Sequence, residues 1–320
     1  MNKRHLRTVL ALLTVCIGIC ALIFTGCGKE NEDSDGDGYT FTDDLGRSVT
    51  VKSPERVAAL LGSFADIWCL AGGDVVATAD DAWEDFGLET EAVNLGNTKS
   101  PNEELLWASD PDFVLASAST SANLNMKEKL EKAGITVAYF DVQTFDDYLR
   151  MLKICTDITG REDLYRTYGV EIKNRISSVL GDCNNNNEGR EAPKVLLMRI
   201  SAMSVRAKGS TGNVTGEMLK AFGCVNIADS ETTLLETLSA ETIIKEDPDY
   251  IFVVEVGADK EGIISNTEEF FGSNPALKEL SAVKEGRLFY LENRLFNLKP
   301  NAKWGESYEK LANILSGEND

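Results

Sequence analysis

Three arginines, Arg199, Arg206 and Arg294, and two aromatic residues, Phe64 and Trp83, stand beside or just after short apolar runs of strand type. A guanidinium offers a planar fork of N–H donors that can grip a carboxylate through two bonds at once, and an aromatic face stacks on a flat conjugated ring. Together these groups suit recognition of an anionic chelate or a macrocycle. The acids Asp80, Asp81 and Glu84 in "DDAWED" offer a different chemistry, because paired carboxylates can hydrolyse a bond by general acid–base catalysis. In a chain of formal charge −20, such a run reads more simply as a solvated loop. Met198, Met203 and Tyr290 could each ligate a haem iron, but methionines beside a strand more often fill gaps in a core. The charge also argues against a nucleic-acid partner, since phosphate binding needs clustered cations and no Lys/Arg block occurs beyond the N-terminal residues.

The elements that must position these groups follow an alternating pattern. "YTFTDDLGRSVTV" alternates and turns at Asp44–Gly46, which predicts a hairpin. "RVAALLG" is a buried strand, and "SFADIWCLAGG" has helical spacing ending at glycine. "DVVATAD", "DFVLAS" and "ITVAYFD" are further strands separated by helical stretches. Short apolar strands alternating with helices indicate parallel sheets of the α/β class. From Thr144 to Gly181 no strand signal occurs. "FDDYLRMLKICTDITG" reads as one helix, and "REDLYRTYGVEIKNRISSVLG" as a longer one, with Leu164, Tyr168, Ile172, Ile176 and Leu180 every four residues. About twenty helical residues span roughly 30 Å. After the loop "CNNNNEGREAP" the pattern resumes with "KVLLMRI", "TGEMLKAFG", "GRLFYLE" and a closing helix in "NAKWGESYEKLANILSG".

One phrase is written twice. "NEELLWASDPDFVLAS" and "SAETIIKEDPDYIFVVE" both run polar cap, glutamate, short helix, Asp-Pro-Asp and apolar strand, with Glu104 matching Glu241. The repeat marks two similar lobes, and the long helix between them is their bridge. Expected boundaries are 40–160 for the first lobe, 161–182 for the linking helix and 192–320 for the second lobe. In open α/β sheets ligands bind beyond the carboxyl ends of the strands. That rule selects residues 62–64, 79–83, 117–120, 199–207, 255–257 and 293–296 as loops around a cleft, and so Phe64, Trp83, Arg199, Arg206 and Arg294 as ligand-binding residues. Trp68 and Trp107, at helical spacing, belong to the core, and Trp304 packs the last helix.

The N-terminus is a targeting segment. Lys3, Arg4 and Arg7 precede an apolar run from Val9 to Phe24 that ends in "TGC". The run is short for a membrane span, which needs about 20 apolar residues, and suits a signal peptide. "FTGC" resembles the lipobox of bacterial lipoproteins, although Phe24 stands where leucine is usual. The resemblance implies cleavage after residues 1–26 and lipidation of Cys27. Residues 27–39, acidic and glycine-bearing, then form a flexible tether. The same cleavage removes His5, the only histidine, which excludes Ser-His-Asp and Cys-His catalysis and His-ligated metal. Cys69, Cys155, Cys183 and Cys224 remain. They are either disulfides, in one of three pairings, or buried free thiols. "DSDGDGYTFTDD" has the acid spacing of a calcium loop at Asp33, Asp35, Asp37 and Asp44, but without flanking helices or a glutamate at the twelfth position.

Across nearly the whole mature chain the residues resemble the ABC-transporter solute-binding proteins that capture ferric siderophores, haem or cobalamin. The resemblance lies in "DDLGRSVTV…PERVAAL", "PNEELLWASDPDFVLA", "GNVTGEMLKAFGCVNIAD", "LSAETIIKEDPDYIFVV" and "KPNAKWGESYEKLANIL", in that order. It implies two Rossmann-like lobes with parallel sheets joined by a single long helix. It also implies a monomeric, non-enzymatic receptor with no cofactor of its own, lipid-anchored on the extracytoplasmic face of the membrane. Its partners would be a small metal chelate, with cobalamin or haem as alternatives, and a permease dimer whose arginines receive Glu104 and Glu241. Two carboxylates held a constant distance apart by a stiff helix would orient the docked protein. The plain alternative is that a glutamate in a first helical turn favours the helix dipole by ~0.3–1 kcal/mol. Glu103, next to Glu104, competes for the first position. An extracellular carboxylate-based hydrolase using Asp80, Asp81 or Glu84 is the reading from another functional class.

Overall fold

The computed structural model describes residues 38–186, 189, 191–230, 235 and 239–317. The signal peptide, Cys27, the tether before residue 38 and the acids Asp33, Asp35 and Asp37 lie outside the described residues. Tyr39, expected in the tether, instead opens strand β1 (Tyr39–Thr42), which pairs antiparallel with β2 (Ser48–Val51). Asp44, the last position of the calcium-like loop, is already engaged. It accepts the Asp141 N–H at 2.6 Å and ion-pairs with Arg150 at 2.7 Å. No acidic, histidine or cysteine group fit to hold a metal ion occurs among the described residues.

Two five-stranded sheets carry the fold. In the first lobe β3 (Val57–Ala59), β4 (Val75–Thr78), β5 (Val93–Asn94), β6 (Phe113–Ser117) and β7 (Thr136–Phe140) are all parallel, in the order β5-β4-β3-β6-β7. In the second lobe β8 (Lys194–Ser201), β11 (Tyr250–Glu255) and β12 (Leu288–Leu291) are parallel neighbours. The other edge of β8 is shared. The two-residue β10 (Val225–Asn226) runs parallel along its start, and β9 (Ser204–Lys208) runs antiparallel along its end. Residues 199–207, expected as a loop, are therefore a β-hairpin with its turn at Ala202–Met203.

The repeated phrase folds the same way twice. Asn102 and Ser239 each cap a helix, Glu103–Ala108 and Ala240–Glu246, by accepting from the N–H three residues on. Each helix gives way to an aspartate with positive φ, Asp110 and Asp247. After the proline, Asp112 accepts the Glu55 and Arg56 N–H groups, and Asp249 accepts the Lys194 N–H. A carboxylate thus pins the start of β3 to β6 and of β8 to β11. The motif is a strand-pairing device, since Asp satisfies N–H groups that precede the ladder.

The helix Phe145–Thr159 opens with a Thr144–Asp147 capping box and stops at Gly160, whose φ of +70° suits a residue without a side chain. Helical backbone restarts at Glu162 and continues to Asn186, past the 182 read from the sequence. It contains one wide turn of π type, Arg166–Val170, where the Tyr168 carbonyl accepts the buried Tyr148 hydroxyl at 2.9 Å. Ile172 and Ile176 are buried from this linking helix, which packs on the closing helix Trp304–Ser316 with an Arg175–Glu309 ion pair.

The second sheet is covered on both faces, as parallel sheets require. Val195, Leu197, Phe252 and Val254 join the core that also holds Trp304 and the linking helix. Their alternate neighbours Leu196, Met198, Ile251 and Val253 pack on the other side against Ile243 and Phe271. Cys69, Cys155, Cys183 and Cys224 are all free thiols. No helix of the described residues is long and apolar enough to cross a membrane.

Candidate ligand-binding cleft

A cavity of about 270 Å³ lies at the carboxyl ends of strands from both sheets. From the first lobe come Ser119, after β6, and Asp141 and Gln143, after β7. From the second come Arg199 on β8, Val254 on β11, and Phe296, Asn297 and Lys299, after β12. A larger hollow, about 330 Å³, runs along the linking helix beside Ile176, Leu180 and Tyr308. It sits against helix flanks and not at strand ends, and its aromatic floor is almost wholly buried, so the strand-end cavity is the candidate site.

Its electrostatics are one-sided. The Arg199 side chain makes no hydrogen bond or ion pair among the described residues, and its buried Nε has no acceptor. Burial pushes its guanidinium below the usual arginine range. Directly across the antiparallel ladder stands Arg206, so both side chains leave the same face of the hairpin. Like charges in that position repel. Two residues on, Lys208 is lowered by burial and then by the charges of Arg199 and Arg206. The Lys299 ammonium likewise makes no hydrogen bond or ion pair among the described residues. Burial lowers its ammonium, Asp141 and Asp81 pull it back up, and Arg199 lowers it further. Within the cavity the acid is Asp141, whose carboxylate accepts Gln143 Nε2 at 3.1 and 3.2 Å. Cations that outnumber the acid beside them and form no ion pair suit a ligand with two or more negative groups.

The five residues read from the sequence are not brought together. Arg199 lines the cavity, and Arg206 is exposed on the strand opposite it. Arg294 is a clamp: Nη1 donates to the carbonyls of Lys299 (2.9 Å) and Pro300 (3.3 Å), and the guanidinium lies 4.3 Å from the centre of the Phe86 ring. It occurs on a helical turn, Asn293–Phe296, not in an open loop. Phe64 is a correction. Residues 62–64 are the first turn of the helix Gly62–Leu70, which directs the ring, 1% exposed, into the core edge-on to Phe140. Trp83 is half-buried on the turn Asp81–Glu84, its Nε1 donating to the Thr90 carbonyl at 3.3 Å, and it does not line the cavity. Lys299, Asp141 and Gln143 were missed. Lys299 lies three residues past the last loop selected, so extending that window finds it, whereas Asp141 and Gln143 need a window after the strand "ITVAYFD", which was not among those selected.

The other candidate chemistries are dispersed. Met198 is core, Met203 is 94% exposed at the hairpin turn, and Tyr290 is 40% exposed on β12, so no pair converges as axial haem ligands. Asp81 accepts the Gly62 N–H at 2.8 Å. Burial, and then its neighbours Asp80 and Asp85, raise its carboxyl to about 6 against the pull of that N–H bond. The two matched glutamates are both exposed on first helical turns. Glu103 is tied to Lys129 at 2.7 Å, whereas Glu104 and Glu241 make no ion pair among the described residues.

A family model described as periplasmic binding protein matches residues 57–295. The chain belongs to that family. Members of the periplasmic binding protein family are solute-binding proteins of transporters and not enzymes. The chain is similar to the Fe(3+)-citrate-binding protein YfmC of Bacillus subtilis (strain 168), at 25% identity over 299 residues and 90% of each chain. It is also similar to the petrobactin-binding protein YclQ of the same organism, at 25% identity over 307 residues, covering 90% of this chain and 92% of that one. Among solved structures it resembles Staphylococcus aureus SirA complexed with staphyloferrin B, with a TM-score of 0.66, 20% identity, and coverage of 88% of this chain and 98% of that one. At that identity the last likeness speaks for the fold.

Proposed function

We propose that this periplasmic binding protein captures an anionic, carboxylate-bearing ferric chelate and delivers it to an ABC-transporter permease. The observation that carries this reading is the pair Arg199 and Lys299, two cations in one strand-end cavity whose side chains make no ion pair among the described residues. A ferric chelate with peripheral carboxylates supplies the missing partners and relieves the repulsion between Arg199 and Arg206. The ligands for which the relatives are named, Fe(3+)-citrate, petrobactin and staphyloferrin B, agree with that chemistry. Haem is the weaker choice, since Met198, Met203 and Tyr290 do not meet.

In this reading residues 1–26 are a lipoprotein signal, Cys27 carries the lipid, and residues 27–38 tether a monomer to the extracytoplasmic face of the membrane. The lobes are 40–160 and 192–320, and the linking helix limits their motion to a small hinge. Glu104 and Glu241, one exposed carboxylate per lobe, dock on permease arginines, while Glu103 is occupied by Lys129. The test is a tryptophan-fluorescence titration of residues 38–320 with ferric citrate, with haem and cobalamin alongside. Saturable quenching by ferric citrate at micromolar concentration supports the reading; neither quenching nor calorimetric heat of binding up to about 1 mM, where binding is worth only ~4 kcal/mol, refutes it.

A further inference from the structure

We infer that Asn301 is a positioning residue for Lys299, holding the lysine in the cleft by fastening its chain segment to the opposite lobe. This rests on the reading of the cleft as an anion site. Asn301 is completely buried and sits at φ +55°, a left-handed conformation that asparagine tolerates better than other residues with side chains. Its Nδ2 donates to the Ser63 carbonyl at 2.9 Å and to Asp66 Oδ2 at 2.8 Å, both in the first helix of the other lobe. Two residues earlier, the Lys299 carbonyl accepts Arg294 Nη1 at 2.9 Å, and Arg294 in turn lies over Phe86 of the first lobe. Lys299 is therefore held at its own carbonyl and two residues on, while it lines the cavity.

An ammonium on a four-carbon stem has every reason to leave a half-buried site for water, because nothing in the cavity pairs with it directly. The path of the backbone, with the longer-range attraction of Asp141 and Asp81, keeps it there. The electrostatic environment is consistent: burial lowers Lys299, Asp141 and Asp81 oppose that, and Arg199 adds to it. Asp66, which receives the Asn301 bond, is itself raised by burial. Releasing Asn301 frees the strap, and the ammonium then moves to solvent, where its affinity for protons returns to normal and its contact with a bound anion is lost.

The variant Asn301→Gly removes both side-chain bonds and keeps the positive φ accessible. Asp66→Ala, which deletes one acceptor and leaves the Ser63 bond, serves as a second, milder release should the first fail to fold. Two measurements are made on residues 38–320. In the ligand-free protein, lysine NMR titration follows the Lys299 ammonium, assigned by its absence in Lys299→Met; release should move its midpoint upward toward that of an exposed lysine. With ferric citrate, Asn301→Gly should weaken binding about tenfold in the native background and by less than about twofold in Lys299→Met, as expected when one residue acts through the other. An unmoved midpoint together with equal losses in both backgrounds overturns the inference. A moved midpoint with no ferric citrate binding to the native protein leaves Asn301 as the positioning residue and sinks the ferric chelate reading instead.

Discussion

Arg199 and Arg206 face each other across the antiparallel β8–β9 ladder, the first lining the cavity and the second exposed on the edge strand. Cross-strand pairs of like charge destabilise, and opposite charges contribute roughly 0.2–1 kcal/mol. Arg206→Glu therefore turns a repulsion into an ion pair. Its melting temperature should rise slightly, and its affinity for ferric citrate should fall at least about tenfold because Arg199 has gained an internal partner. Calorimetry of melting and of binding checks both; tighter binding in this variant would contradict the anion site.

Lys299→Met exchanges a half-buried ammonium for an apolar chain of similar length. Loss of the unpaired charge should stabilise the ligand-free protein by about 1 kcal/mol, or a rise in melting temperature of roughly 2–4 °C. Ferric citrate affinity should drop by about tenfold or more. A variant both less stable and unimpaired in binding would show that Lys299 serves the fold alone.

For Glu104 and Glu241 the expectation concerns uptake and not affinity. The double variant Glu104→Arg, Glu241→Arg should abolish permease-dependent iron uptake while its fluorescence titration stays that of the native protein, since both residues are exposed on first helical turns. Glu103→Arg should lose only the surface pair with Lys129, worth about 0–1 kcal/mol.

Asp81 sets a pH dependence. Its native carboxyl is raised to about 6 from 3.8, so the ionised form is disfavoured in the fold. That penalty is fully present above about pH 6 and disappears as the pH falls toward the unfolded value. Asp81→Asn, which keeps an oxygen for the Gly62 N–H, should raise stability at pH 7.5 by about 1–3 kcal/mol. The gain should vanish near pH 4. Chemical denaturation at the two pH values measures it, and an equal gain at both would point to packing instead.

Gly62 is a steric prediction. A Cβ there would lie 2.3 Å from the Ala82 nitrogen, a backbone atom that cannot swing aside. Gly62→Ala should cost about 1–3 kcal/mol through overpacking, read as a fall in melting temperature.

Much of the fold could be read from single stretches of chain. Apolar runs of strand length, helical spacing and the capped Asp-Pro-Asp phrase depend on neighbours within a few residues, and those local rules hold in both lobes. Where the reading failed, a distant partner decided. Phe64 reads equally as a loop aromatic or a helical one until Gly62–Leu70 packs on Phe140. Residues 199–207 look like a loop because nothing local says that Arg206 returns beside Arg199.

The sequence by itself determined the α/β class, the duplication, the long helix and the absence of histidine beyond His5, because composition and periodicity are properties of the chain alone. Only the tertiary structure decided which cations share the cleft. Arg294 and Lys299 are five residues apart and equally basic, yet one is spent on Phe86 and two carbonyls while the other is left without a partner. Whether a charge is available to a ligand depends on what stands beside it in space, and that is set by contacts between lobes that no stretch of sequence contains.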